Sequence, residues 1–388
     1  MAKKTFTLSK SRYIRGLQCH KSLWLYTHKP DLREESDAMK AVFQQGHDAG
    51  DVARDIFPGG ILIPFDGVTF DDQISMTLKA LKTAKVIYEA AFSFGGVFVK
   101  ADVMRKVGRS WELYEVKSST EVKEVYLNDV AVQYYVISGS GIPISKVFVT
   151  HLNKNYVRKG SLDVKELFES HDVTADVKEK QAGIKKEIAG QQKMLAGKQP
   201  TIDIGPHCEK PYDCDFMGHC WKHIPENSVF ELAGRGANKF KLYNDGIIKM
   251  VDIPLEKLKG DQLQQVELFL RKGSVVHRAK LKKFLDEIWY PLCFLDFETF
   301  LAAVPPYDGL KPYQQIPFQY SLHLQKRPGG KVDHKEFLAK PNCDPRKELI
   351  DSLLNEIPKD ACVRQGNSKE AIQNLPVPFS AELVCLWQ

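Results

Sequence analysis

The sequence predicts an α/β protein built on a mixed sheet. Three short apolar, β-branched segments, at residues 86–94, 97–105 and 111–116, are separated by glycine-containing turns and predict antiparallel strands. A helical pattern at 127–138 and an apolar strand at 146–152 follow them, and helices are predicted before them. The order helix, meander, helix, strand is typical of an α/β fold with a mixed sheet.

The remaining elements are predicted from periodicity and from capping residues. Residues 8–28 predict one capped helix or two short ones, with Cys19 inside. The charged stretch 172–197 predicts one long solvated helix, and 225–290 is predicted to be helical. The other predicted elements are helices at 37–57, 69–84 and 344–356 and strands at 290–299, 319–324 and 331–338.

Size and charge limit the possible functions. A chain of 388 residues is long enough for two or three domains. No apolar run reaches the roughly 18 residues of a membrane span, and Met1–Lys10 lacks the apolar stretch of a secretory signal. We therefore expect a cytoplasmic protein without membrane association. The net charge of +6 permits binding to a polyanion but does not require it.

Acidic residues on the predicted hairpin form a candidate metal site. Glu115 and Lys117 share a strand face, and Asp102 lies in the preceding strand. Two carboxylates can hold Mg²⁺ or Mn²⁺, and the lysine can orient or help to deprotonate water near a phosphate. Three other acid-x-Lys triplets begin at 121, 163 and 176, so the triplet alone fits a solvated strand face equally well. Only Glu115 has an acid in a facing strand and a following helix that carries Asp129 and Gln133 on one face.

A cysteine segment forms a second candidate site. Cys208, Cys214 and Cys220 are separated by five residues each, in a segment rich in proline and glycine. We expect the chain to be reduced, so the cluster indicates a metal centre before disulfides, with three unliganded thiols as the alternative. A tetrahedral or cubane site needs a fourth ligand. The candidates for that ligand are Cys19, His207, His219 and His223.

With both features in view, residues 1–224 resemble the RecB-like branch of the PD-(D/E)xK nucleases. They are most similar to CRISPR-associated and AddB-like exonucleases. The resemblance implies a restriction-endonuclease-like core that cleaves DNA, commonly single strands or ends. It assigns a [4Fe-4S] cluster to Cys19, Cys208, Cys214 and Cys220. It also assigns metal binding to Asp102 and Glu115 and further catalytic roles to Lys117 and Gln133.

The sequence departs from this family pattern at three points. Family members often carry a metal-binding histidine four residues after a glycine; here Gly50 stands four residues after Gly46, and His47 is displaced. The tyrosine that usually follows the glutamine by four residues is Ile137. The usual Cys-x2-Cys is Cys-x5-Cys. These departures leave fewer metal ligands than the family pattern has.

The C-terminal part resembles the start of a DnaQ-like exonuclease with the RNase H fold. In the strand YPLCFLDFETF, Asp296 and Glu298 are two residues apart and share a face, although an ordinary acidic strand end is the alternative. Only ninety residues follow Glu298, too few for the helices that would supply two further carboxylates. We predict three parts: a RecB-like domain at 1–224, a helical linker at 225–289, and an incomplete, inactive RNase H-like domain with an irregular tail at 290–388.

Three functions follow from these patterns. The first is a Mg²⁺- or Mn²⁺-dependent DNA nuclease with a structural [4Fe-4S] cluster. The second is a catalytically inactive Fe–S or zinc nucleic-acid-binding module in which Arg12, Arg15 and Lys21 contact phosphates. The third is a zinc protein with no nuclease role.

Overall fold

The computed structural model describes residues 6–34, 37–234 and 238–365, except for the side chains of residues 37–43 and 238. The chain divides into two compact units. The first comprises residues 1–117, 121–151 and 170–275, and the second comprises 118–120, 152–169 and 276–388.

The described chain contains both helices and strands. The strands are β1 (Leu8–Ser9), β2 (Ile61–Leu62), β3 (Val86–Phe94), β4 (Val97–Val107), β5 (Ser110–Lys117), β6 (Ile144–Leu152), β7 (Phe168–Asp172), β8 (Leu292–Leu301), β9 (Gln315–Gln325), β10 (Val332–Leu338) and β11 (Cys362–Gln365). The helices are α1 (Lys10–Gln18), α2 (His20–His28), α3 (Asp37–Ala53), α4 (Phe70–Thr83), α5 (Glu124–Gly139), α6 (Val164–Leu167), α7 (Thr174–Glu179), α8 (Gln181–Leu195), α9 (Met217–Cys220), α10 (Asn238–Asn244), α11 (Gly260–Leu270), α12 (Arg278–Asp286) and α13 (Arg346–Glu356).

The first sheet has the order β2-β3-β4-β5-β6-β7, with β1 paired to β4 outside that path. Strands β3, β4 and β5 form an antiparallel meander, whereas β5 and β6 are parallel. Parallel neighbours need a crossover connection, and α5 supplies it, so this helix returns the chain from the end of β5 to the start of β6. The predicted α/β class with a mixed sheet is confirmed.

Apolar side chains are buried on both faces of the central strands. On one face, Leu113 of β5 and Val149 of β6 belong to the same core as Val130 of α5. On the opposite face, Tyr114 stacks on Phe148, with ring centroids 4.6 Å apart. The strands are therefore apolar along most of their length, and polar side chains between them need an explanation other than solvent exposure.

The structure decides one helix prediction and corrects another. Of the two alternatives for residues 8–28, two short helices are present, because Cys19 has extended backbone angles and ends α1 before α2 begins; Leu8 and Ser9 precede them as strand β1. The single long helix predicted at 172–197 is wrong: β7 ends at Asp172, and α7 and α8 follow as separate helices. Helix α8 is also not fully solvated, since Ile184 and Ile188 are buried in the core of the first unit. The lysines between them conceal this apolar stripe in the sequence.

The helical segment predicted at 225–289 contains helices α10, α11 and α12, joined by turns. Residues up to 275 belong to the first unit, and this segment has an apolar cluster of its own that includes Val229, Leu242 and Val266. Much of the segment 225–289 therefore folds around a small apolar core of its own, unlike an extended linker.

The second unit is built around a four-stranded sheet with the order β10-β9-β8-β11. Strands β8, β9 and β10 are antiparallel, and β11 pairs with β8 in parallel. Arg364 and Gln365 belong to β11. The irregular tail predicted at the end of 290–388 lies outside the described residues from residue 366 onward. Leu349 and Leu353 of α13 pack against Leu295 and Leu322 on one face of this sheet.

None of the helices in the described part of the chain combines the length and the apolar character needed to cross a bilayer.

Candidate functional site

Asp102 and Glu115 lie where β4 and β5 stop pairing with each other. The regular ladder between the two strands ends at the pair Val103 and Tyr114. Beyond it, the backbone N–H of Val116 donates a 2.8 Å hydrogen bond to Oδ2 of Asp102. The tight turn at Val107–Ser110 sets this register, so the two predicted carboxylates come from facing positions on adjacent strands.

Glu115 accepts three hydrogen bonds in a buried position. Its side chain is 1% exposed. Oε1 accepts from Nζ of Lys10 at 2.6 Å and from Nζ of Lys117 at 2.8 Å, and Oε2 accepts from Nε2 of Gln133 at 2.5 Å. Burying a carboxylate is costly unless it is paired and hydrogen-bonded, and this carboxylate has both kinds of partner.

Helix α5 packs on the sheet and supplies an ion-pair partner for Lys117. Asp129 and Gln133 are four residues apart and lie on the same helix face. Oδ2 of Asp129 is 2.5 Å from Nζ of Lys117, so that ammonium group lies between Asp129 and Glu115. The four residues predicted as catalytic, Asp102, Glu115, Lys117 and Gln133, are therefore brought together.

The two carboxylates differ in electrostatics. Burial, together with the neighbouring Glu115, raises the pKa of Asp102 to about 7. Burial would also raise the pKa of Glu115, but the ammonium groups of Lys10 and Lys117 outweigh it and lower that pKa to about 2. For Lys117, burial is likewise outweighed by Glu115 and Asp129, and its pKa is well above the usual value. Asp102 is thus the carboxylate that lacks a full counter-charge.

One buried polar atom at the site has no partner. Oε1 of Gln133 accepts no hydrogen bond from any described residue, although the residue is fully buried. An unsatisfied buried acceptor beside two carboxylates fits a cation whose water ligand donates to it. The donor set, with carboxylate oxygens on facing strands and a free amide oxygen next to them, therefore fits Mg²⁺ or Mn²⁺.

Sequence reasoning missed Lys10. It is the first residue of α1 and is 105 positions from Glu115 along the chain. No local pattern in the sequence marks it. Its position is determined by β1, the strand directly before it, which pairs in parallel with β4. His47, the displaced histidine, is exposed on α3, as expected for a surface residue.

The four predicted cysteines line one small cavity of about 20 Å³. Cys19 lies at the break between α1 and α2, and Cys208, Cys214 and Cys220 follow one another around the cavity. Burial raises the pKa of the Cys19 and Cys220 thiols. A bound metal centre would relieve this cost by holding the thiolate form.

Two fourth-ligand candidates line the same cavity, namely Cys19 and His207. His223 is engaged elsewhere, since its Nε2 is 2.8 Å from the hydroxyl of Tyr243. Among the described residues, no three of the four sulfur atoms lie within 4.8 Å of one another. Tetrahedral zinc with bonds of about 2.3 Å needs sulfurs roughly 3.8 Å apart. In the described part of the chain the four sulfurs are therefore not arranged as a zinc tetrahedron.

A buried ion pair connects the cysteine segment to α1. Asp215 is 1% exposed and accepts from NH1 of Arg15 at 2.5 Å and from Nε of Arg33 at 2.5 Å. Lys21 donates from Nζ to the carbonyl oxygen of Ile202 at 3.0 Å. Arg15 and Lys21, predicted as phosphate contacts in the binding-module hypothesis, are thus engaged within the fold, and Arg12 lies over the ring of Tyr26.

The C-terminal acids lie in a different environment. Asp296 and Glu298 are on the exposed face of β8, and their partners in the register with β9 are Ser321 and Gln319. Both acids lie on one strand face, as predicted. In the part of the chain that the structure describes, neither forms an ion pair with a lysine, an arginine or a histidine.

Three comparisons with known proteins give limited information. A family model, "Domain of unknown function (DUF2779)", matches residues 293–369. A search of curated protein sequences found no match to the chain. One similar solved structure is described as "Crystal structure of SSO0001"; it is 13% identical, with 57% of this chain and 88% of that chain covered, at a TM-score of 0.32. At that level of similarity no argument about fold or function follows, and the chain is similar to the DUF2779 family over its C-terminal part.

Proposed function

We propose that the chain is a metal-dependent DNA nuclease of the PD-(D/E)xK type with a restriction-endonuclease-like core. The observation that carries this proposal is the convergence of Asp102, Glu115, Lys117 and Gln133 at the point where β4 and β5 diverge. These are the residue types that the chemistry of phosphodiester hydrolysis requires, in a buried site with an unsatisfied amide oxygen.

The reaction would be hydrolysis of a phosphodiester. The oxygen of a water molecule forms a bond to phosphorus, and the bond from phosphorus to the leaving sugar oxygen breaks. The attacking water loses one proton to solvent, and the leaving oxygen takes up one proton from solvent to become a hydroxyl. A bound Mg²⁺ or Mn²⁺ would supply Lewis acidity to the phosphate and the water. Asp102 and Glu115 would hold it, and Lys117, fixed between Glu115 and Asp129, would orient the water and stabilise charge on the phosphate.

We also propose that Cys19, Cys208, Cys214 and Cys220 hold a [4Fe-4S] cluster with a structural role. One observation supports it: all four thiols line one cavity, and a cubane cluster takes four such ligands. The cluster would connect the break between α1 and α2 to the segment at 208–220. Its stabilising effect would come from closing most of the first unit.

A second candidate is a nucleic-acid-binding module without catalysis. One observation favours it: Glu115 is already satisfied by two lysines and an amide, so the fold needs no cation at this position. The net charge of +6 is compatible with either candidate.

The decisive experiment is a cleavage assay on single- and double-stranded DNA with labelled ends, in Mg²⁺, in Mn²⁺ and in a chelator. We expect cleavage with either metal and none with Lys117→Ala. The matched control is Lys178→Ala, in an acid-x-Lys triplet that is exposed on α7. Equal cleavage by the two variants would show that Lys117 is not part of the site. DNA binding by the native protein without cleavage in either metal would favour the binding module.

The nature of the cysteine centre is tested separately. A brown protein with broad visible absorption and about four irons per chain would support the cluster. A colourless protein that contains one zinc would contradict it, and would leave the nuclease assay unaffected.

A further inference from the structure

Two lysine side chains share one oxygen of Glu115. Nζ of Lys10 is 2.6 Å from Oε1, and Nζ of Lys117 is 2.8 Å from the same atom. Oε2 accepts from Gln133. Donors from the protein itself therefore occupy three of the roughly four lone pairs of this carboxylate, and two of those donors are ammonium groups. Their positive charges oppose a divalent cation at the same carboxylate, so binding is favoured when one of the two ammonium groups moves away.

The two lysines are not held equally. Lys117 also pairs with Asp129 at 2.5 Å, so it keeps one carboxylate partner if it loses the other. In the described part of the chain, Lys10 has an ion pair with Glu115 alone. Its side chain is also the more exposed of the two, at 24% compared with 18%. Lys10 is therefore the donor that a cation would displace.

The position of Lys10 in α1 supports a role outside the helix. It is the first residue of the helix, directly after the N-cap Ser9, and no acidic residue lies in that first turn. A cation at this end is opposed by the helix dipole, typically by about 0.3–1 kcal/mol. The local structure of α1 would be better served by an uncharged or acidic residue. The favourable interaction of this lysine is the one with Glu115, which no helix preference explains.

We propose that Lys10 is a counter-ion that leaves Glu115 when a divalent cation binds, and that it then contacts a phosphate oxygen of the nucleic acid. This inference rests on the proposed function, since it concerns the same site. An ammonium group on a flexible four-carbon stem at the edge of a metal site suits a phosphate as a point charge. When no metal is bound, Lys10 would neutralise the negative charge of Glu115. When metal is bound, Lys10 would contact the substrate.

The first test measures metal binding and does not depend on cleavage. Binding of Mn²⁺ is measured by titration calorimetry for the native protein, Lys10→Met and the control Lys146→Met. Lys146 pairs with Asp172 at 3.1 Å and is exposed on β6, so its removal deletes one charge and one ion pair outside the site. We expect the Kd for Mn²⁺ to fall by roughly three- to tenfold in Lys10→Met and to stay unchanged in Lys146→Met. An unchanged or higher Kd in Lys10→Met overturns the proposal.

The second test measures the phosphate contact. Binding of a single-stranded oligonucleotide is compared for the native protein and Lys10→Met in a chelator and in Ca²⁺, which takes oxygen ligands as Mg²⁺ does. We expect equal affinity in the chelator, where Lys10 is held by Glu115, and a loss of roughly three- to tenfold in Ca²⁺. Any other pattern overturns the proposal. If Lys10→Met does not fold, Lys10→Gln, which keeps a donor for Glu115 without the charge, replaces it in both tests.

These tests separate the inference from the function on which it rests. If the native protein binds Mn²⁺ and DNA but never cleaves, the nuclease proposal fails, while the displacement of Lys10 can still be seen in both titrations. If the native protein cleaves and Lys10→Met binds Mn²⁺ like the native protein, only the inference about Lys10 fails.

Discussion

The two sheets of this protein each carry a pair of acids on one face, but in the described part of the chain only the pair of the first sheet lies among charged partners. Asp102 and Glu115 are held between strands and beneath α5, with two ammonium groups on Glu115. Asp296 and Glu298 lie on the exposed face of β8, beside Ser321 and Gln319. Asp102 and Glu115 come from adjacent strands and Asp296 and Glu298 from a single strand, but in both regions the two acids share a face of the sheet.

The difference shows that spacing on a strand is not sufficient for a site. A crossover helix places Asp129 and Gln133 over β5, and burial strengthens each charge interaction there because the surroundings polarise less than water. On β8, helix α13 packs on the opposite face of the sheet, and the acids remain in contact with solvent. Solvent screens such charges, so an ion pair at this position would contribute little to stability.

The largest expected effect is the loss of cleavage in Glu115→Gln. Replacing this carboxylate by an amide removes a metal ligand and the anchor of Lys117, and we expect cleavage to fall by at least about 100-fold. Glu298→Gln is the matched change in the other region and should leave the rate unchanged. Rates are measured on labelled DNA at saturating Mn²⁺. Similar losses in the two variants would remove the distinction between the regions.

A second prediction compares cysteines in the two regions. Cys19→Ser should lower the iron content and the unfolding temperature, because it removes the ligand that connects α1 and α2 to the 208–220 segment. A loss of about 2 kcal/mol would lower the unfolding temperature by roughly 4–8 °C. Cys293→Ser, a buried cysteine in the second sheet, should leave the iron content unchanged. Iron content is measured with colorimetry, and full retention in Cys19→Ser would favour His207 as the fourth ligand.

A third prediction separates the two carboxylates of the first region. Glu115→Ala leaves Lys10 and Lys117 close together without their shared acceptor, and we expect it to cost about 3 kcal/mol in the free energy of unfolding. Asp102→Ala removes a half-buried carboxylate that lacks a full counter-charge, and we expect little loss or a small gain in the free energy of unfolding. Urea unfolding in a chelator measures both, and equal destabilisation would contradict the difference in their partners.

The smallest expected effect is that of Asp296→Ala. Its side chain is exposed and has Ser321 as its cross-strand neighbour, so we expect the free energy of unfolding to change by less than about 0.5 kcal/mol. We also expect cleavage to stay unchanged, because one pair of carboxylates does not hold two metal ions. Background cleavage in Asp296→Ala, with Asp102 intact, would identify the second sheet as the active one.

Much of the first sheet could be predicted from the sequence. Strand β3 has the predicted limits, and β4, β5 and β6 differ from theirs by one or two residues at an end, because β-branched runs between glycine turns determine strands locally. The helix predicted at 172–197 was wrong, since its high charge concealed both the break before α8 and the buried face of that helix. Strand β7 was missed for a similar reason: FESHD has only one apolar residue, and its place at the sheet edge is decided by pairing.

By itself, the sequence determined the spacing within each site: Glu115 and Lys117 on one strand face, Asp129 and Gln133 one helical turn apart, and three cysteines at equal intervals. These relations involve residues close in the chain, where the periods of the strand and the helix decide which side chains share a face. Only the tertiary structure decided that Lys10 contacts Glu115 and that Cys19 joins the other cysteines. It also decided that Glu115 is buried and Asp102 half-buried, whereas Asp296 and Glu298 are exposed. Each of these depends on which distant segments pack together, and packing is governed by the apolar surface of whole elements and not by the polar residues that they bring into contact.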